Sequence, residues 1–137
     1  MVISTIKYAD LMESLIGNNS RRPDITFHAN GRIDITARIS RWLGVEDGDV
    51  IDIIHDNGEY FLTIREKHDD IMGKHEAQCW ASNKQGRNYR AYSSKLCNAI
   101  IKMTGHHDCA KLPAGEMTTI GNAKAVTLIV KNNLAII

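Results

Sequence analysis

Two sets of residues in this chain could do chemistry. The first is a set of metal or nucleophile types: His106-His107-Asp108-Cys109, with Cys79, Cys97, His68 and His75 elsewhere. Zinc sites place paired ligands at short fixed spacings such as C-x-x-C or H-x-x-x-H, and no such pair is completed here. Adjacent histidines diverge on most backbones, so the reading is a polar loop without a metal. A Cys/His nucleophile pair would need an orienting third group and an oxyanion hole, and neither is identifiable. Asp69-Asp70 reads as part of a solvated linker. With no Walker loop, GxGxxG or HExxH, the sequence implies no enzyme and no cofactor.

The second set is cationic. Between Gly31 and Leu43 stand Arg32, Arg38 and Arg41 against Asp34 alone, whereas Glu46 to Glu59 carries Glu46, Asp47, Asp49, Asp52, Asp56 and Glu59 without a lysine or arginine. Between Ala77 and His106 stand Lys84, Arg87, Arg90, Lys95 and Lys102 with no acid. Positive charge segregated in this way is the footprint that DNA phosphates require, and arginine adds bidentate contact to guanine edges. Tyr89 and Tyr92 beside the basic residues could stack on bases. The alternative is a solvated face whose arginines pair with the acids that follow.

The elements that must position these residues are legible locally. Ile25 and Phe27 alternate with Thr26 and His28, and Ile33 and Ile35 with Asp34 and Thr36, as in half-buried strands. Asn30-Gly31 joins them and suits a type I′ hairpin turn. After Thr36, an N-cap, the spacing of Ile39, Trp42 and Leu43 is helical, and Gly44 ends the helix. A second hairpin runs from Val50 to Ile64 through Asp56-Asn57-Gly58. A degenerate second copy follows: Gln78 to Tyr92 as a hairpin through the Ser82 to Gly86 turn, a longer helix capped by Ser93-Ser94, then Ala114 to Ile120, Gly121-Asn122 and Ala125 to Lys131. The extra length of this copy falls in the helix and in Gly105 to Ala110.

Gly31-Arg32-Ile33, Arg38-Ile39, Arg41, Leu43-Gly44-Val45 and Gly48-Asp49-Val50-Ile51 together resemble the AbrB/SpoVT/MazE-type swapped-hairpin β-barrel regulators. Family members commonly place a proline where this chain has Thr36 and an acid where it has Ala37. The resemblance implies a DNA-contacting surface built from arginines of the first hairpin and the following turn, here Arg32, Arg38 and Arg41. By repetition, Arg87, Arg90 and Lys95 join them.

At 137 residues with net charge +1, the chain is expected to be one α+β, β-rich domain. Its parts are an N-terminal amphipathic helix over 5–16, a first half over 24–66, a linker over 67–75 and a second half over 76–131, the halves closing a pseudo-symmetric swapped-hairpin β-barrel. No window approaches the roughly 20 apolar residues of a membrane span. Three cysteines without framework spacing, and an N-terminus with acids in its apolar pattern, suit the cytoplasm. The expected function is DNA binding as a transcriptional regulator, with duplex DNA as partner and a homo-oligomer open. A protein-interaction module that docks the strip Tyr8, Leu11 and Leu15 is the alternative.

Overall fold

The computed structural model describes residues 24–70, 73, 75–82 and 88–130. The helix expected over 5–16, with its Tyr8, Leu11 and Leu15 strip, lies outside the described residues, as does Arg87. Nine strands and two α-helices are described, so the α+β, β-rich class holds. The strands are β1 (Ile25–His28), β2 (Arg32–Ile35), β3 (Val50–Asp56), β4 (Glu59–Glu66), β5 (Trp80–Ala81), β6 (Tyr89–Tyr92), β7 (Cys109–Leu112), β8 (Ala114–Ile120) and β9 (Ala123–Leu128), with α1 (Ala37–Leu43) between β2 and β3 and α2 (Ser94–Thr104) between β6 and β7. They form two antiparallel sheets, one ordered β5-β6-β2-β1-β7 and the other β3-β4-β9-β8. Among the described residues these sheets do not close on each other as a barrel.

Alternation builds the first sheet. Ile25, Phe27, Ile33, Ile35, Ala91, Ala110 and Leu112 all point inward and are buried. They share one core with Cys97 and Ile100 of α2, Ile39 and Leu43 of α1, and Ile51, Leu62, Val126 and Leu128 of the second sheet. Both helices end on a glycine in the left-handed conformation that relieves the terminal carbonyls: Gly44 at φ 73 and Gly105 at φ 75. Ser93 caps α2 by accepting from the Leu96 N–H at 3.1 Å. Thr36 stands at the N-cap of α1 without a side-chain cap bond of its own. Asn88, from the other half of the chain, accepts from the Ala37 N–H at 2.8 Å instead.

Two local expectations change. Asn57 and Gly58 both have positive φ, 51 and 80, as a type I′ turn requires, whereas Asn30 is absent from the positive-φ residues and only Gly31 is among them, at φ 97. The first hairpin therefore turns through three residues, with the Gly31 N–H bonded to the His28 carbonyl at 2.9 Å and Gly31 in the bulge position. The second change is β7. Residues read as part of a polar insertion form a strand, with Ile25 opposite Leu112 and His28 opposite Cys109.

Pairing between the two halves is extensive. β2 pairs with β6, and β4 with β9, where Leu62 faces Val126. β1 takes β7 as its outer neighbour, and the chain at Gly48 to Ile51 pairs with Ala77 to Cys79 through bonds of 2.7 to 3.0 Å.

Candidate nucleic-acid interface

The outward face of the first sheet gathers the charge. Successive cross-strand partners line up Trp80, Arg90, Asp34, Thr26 and Lys111 in one row across five strands. In the next row Tyr92 opposes Arg32, and His28 opposes Cys109. Arg32, Arg90 and Lys111 thus set three fixed positive charges on this face against the single acid Asp34.

Asp34 is the hub. Its Oδ1 accepts from Arg90 Nε at 2.9 Å, and its Oδ2 accepts from Arg32 Nε at 3.1 Å and lies 2.9 Å from His28 Nε2. Burial pushes this carboxyl up, but the hydrogen bonds from Arg90 and His28 and the charges of both arginines outweigh it, and it titrates below the ordinary range. The hydrogen bond that Arg90 donates to Asp34 in turn holds Arg90 above the usual guanidinium value, with a smaller contribution from the neighbouring Tyr92. Both arginines are therefore held with their planes fixed on the sheet surface, yet remain 34% and 42% exposed.

The other expected site residues divide. Lys95 is exposed in the first turn of α2, which abuts the β1–β2 turn: the Ser93 N–H donates to the Gly31 carbonyl at 2.8 Å. Arg38 is tied elsewhere. Its Nη1 lies 3.2 Å from Oδ2 of buried Asp24, and its guanidinium sits 4.9 Å over the Trp42 ring. Asp24 also accepts from the Ala114 N–H at 2.8 Å, so this ion pair fastens α1 to the start of β8. Arg41 is exposed in the last turn of α1, beside a shallow cleft lined by Ser40, Gly44, Val45, Glu46 and Tyr89. Among the described residues, none of these arginines pairs with the acids of the second hairpin. Asp34 and Asp24 take Arg32, Arg90 and Arg38.

Two of those later acids, Glu46 and Asp49, serve a separate cluster. Asp49, with a fully buried side chain, accepts from the Glu46 N–H at 2.8 Å and Lys67 Nζ at 2.7 Å on one oxygen, and from the His68 N–H at 2.8 Å on the other, with His68 Nδ1 at 3.1 Å. Glu46, Asp49 and His68 are the described residues whose donor atoms come close enough together to hold a cation. Lys67 Nζ already stands between the two carboxylates, 3.1 Å from Glu46, and supplies the charge that a metal would. In the loop before β7, His106 Nδ1 contacts Thr104 Oγ1 at 2.7 Å, and the Asp108 carbonyl accepts from the Ala29 N–H. Cys79 is buried and its thiol is pushed up to about 12 by desolvation, aided by the charge of Asp49, which favours the neutral thiol.

Sequence reasoning missed Trp80, His28 and Lys111 as members of the face. The period-2 pattern marks His28 as outward, and the β1–β2 hairpin sets it beside Arg32, but only the register of β5 on β6 and of β7 on β1 brings Trp80 and Lys111 onto the same face. Among the described residues no helix is long and apolar enough to cross a membrane. Comparison with protein-family models, curated proteins and solved structures found no match.

Proposed function

We propose that this protein binds DNA as a regulator and that its two halves are pseudo-symmetric, swapped-hairpin units similar to those of AbrB/SpoVT/MazE-type proteins. The symmetry reading is supported by the order hairpin, helix, hairpin in both halves and by the second sheet. There the turns Asn57-Gly58 and Gly121-Asn122 occupy corresponding positions, and the pair Leu62 and Val126 lies where a twofold axis would pass. The exchange of β1 with β7, answered by Gly48 to Ile51 with Ala77 to Cys79, supports it further.

The observation that carries the DNA reading is the outward face of the first sheet, where Arg32, Arg90 and Lys111 surround one acid. Phosphates of a duplex are the ligand that such a face fits, because neutralising them releases condensed counterions. Arg38 and Arg41 on α1 and Lys95 on α2 extend the proposed set. The test is binding of a generic duplex measured by fluorescence anisotropy over a range of salt. Replacing Arg32, Arg90 and Lys111 by Ala should flatten the logarithmic salt slope by roughly 0.9 for each phosphate no longer neutralised. An unchanged slope in the triple variant would remove the face from consideration.

A further inference from the structure

Three large apolar side chains are exposed among the described residues: Trp80 at 52%, Tyr92 at 58% and Met117. Both aromatic ones stand on the cationic face. Trp80 opposes Arg90, and Tyr92 follows Arg90 by two residues on the same strand, opposite Arg32. The two residues are thus diagonal cross-strand neighbours, with their points of attachment about 7–8 Å apart at this sheet spacing. The outer edge of the Trp80 ring lies over Gly48, where an added Cβ would stand 3.8 Å from it.

We propose that Trp80 and Tyr92 are stacking platforms for two successive unpaired bases, so that this face takes a single strand of DNA whose phosphates run along Arg32, Arg90 and Lys111. The proposal rests on the reading that the face binds DNA and narrows its substrate. Spacing decides for an unpaired strand. Bases stacked within a duplex lie about 3.4 Å apart and offer no free faces, whereas platforms at about twice that distance can be filled only when the stack between the bases is opened. Aromatic platforms lining a positive groove are how proteins hold single strands without reading their sequence.

The test compares oligothymidylate, an abasic deoxyribose-phosphate oligomer of equal length, oligouridylate and a blunt duplex, with wild type and with the double variant W80A/Y92A. Wild type should bind oligothymidylate more tightly than the abasic oligomer and the other two probes. The double variant should lose roughly 5- to 150-fold for each base no longer stacked, with abasic binding unchanged and a native urea midpoint. W80F/Y92F, which keeps both rings, should restore binding. If the duplex is bound but W80A/Y92A leaves oligothymidylate affinity unchanged, stacking is refuted while the DNA reading survives. Tighter binding of oligouridylate overturns the assignment to DNA. If no probe is bound even at low salt, the DNA reading itself fails and this proposal with it.

Discussion

Replacing Asp49 with Asn keeps the shape of a fully buried side chain and removes its charge. Asp49 presents two oxygens to four donors, with the Glu46 N–H and Lys67 Nζ on one side and the His68 N–H and Nδ1 on the other. Asparagine has one acceptor oxygen, so the donors on one side must face an NH2 group. Hydrogen bonds to a charged group are worth about 1.5–3 kcal/mol each. Two are removed or turned repulsive, and part of the cost is recovered because Lys67 and His68 are 42% and 38% exposed and can rehydrate. The net cost is about 2–4 kcal/mol, a large share of the roughly 5–15 kcal/mol typical of a domain. At about 2.1 cal/mol/K of unfolding entropy per residue, the melting temperature should fall by about 7–14 °C. The effect should also reach Trp80, since the Cys79 N–H donates to the Asp49 carbonyl at 2.7 Å and aligns the strand that carries the ring. Calorimetry and tryptophan emission are the assays. A fall of less than about 2 °C would show that the four donors are satisfied without the charge, and the account of this cluster would be refuted.

Gly31→Val and Gly58→Val should separate strain from crowding. Both residues have positive φ, and each change costs on the order of 1–3 kcal/mol, but a Cβ at Gly31 would lie 3.1 Å from Ser94 Oγ while none of its neighbours crowds Gly58; urea midpoints should therefore rank Gly31→Val as the more damaging. Stability should fall at both ends of the pH range. Asp34 and Asp49 titrate below the ordinary 3.8, so their contribution stands above that pH and is lost as pH drops through the lowered values; the hydrogen bond to Asp49 raises His68 above 6.5, so its contribution is full below 6.5 and fades as pH rises through the raised value. A urea midpoint that stays flat from about pH 5 to about pH 9 would contradict the His68 assignment. Cys109, half-buried at the sheet edge, should react with an aromatic disulfide reagent in the native protein, while buried Cys79 and Cys97, both with raised thiols, should react only on unfolding; rapid native reaction of more than one thiol would count against the packing.

Local features are legible in the sequence. Ile25 and Phe27, Ile33 and Ile35 alternate as half-buried strands must, and Gly44 and Ser93 mark helix ends through chemistry that acts within a few residues. Longer-range relations are not legible. Nothing near Cys109-Ala110-Lys111-Leu112 announces a strand, because the preceding histidines and acid carry a loop composition and the buried position at Ala110 is small. Arg38 is 14 residues from Asp24 and Arg90 is 56 from Asp34, so counting charges by segment could find the cations but not the acids that hold them. The turn at Asn30 depends on whether two or three residues close the hairpin, a matter of register that composition does not decide.

The pairing of strands far apart in sequence has a consequence for how the chain assembles. β1 finds its outer partner most of the chain away, at Cys109 to Leu112, and neither half can complete its own first sheet. Folding must therefore wait for distant segments to meet, which makes slow, all-or-none kinetics the expectation. It also means that severing the connection between β4 and β5 would not release two pieces. They would stay joined through β2 with β6, β4 with β9 and β1 with β7.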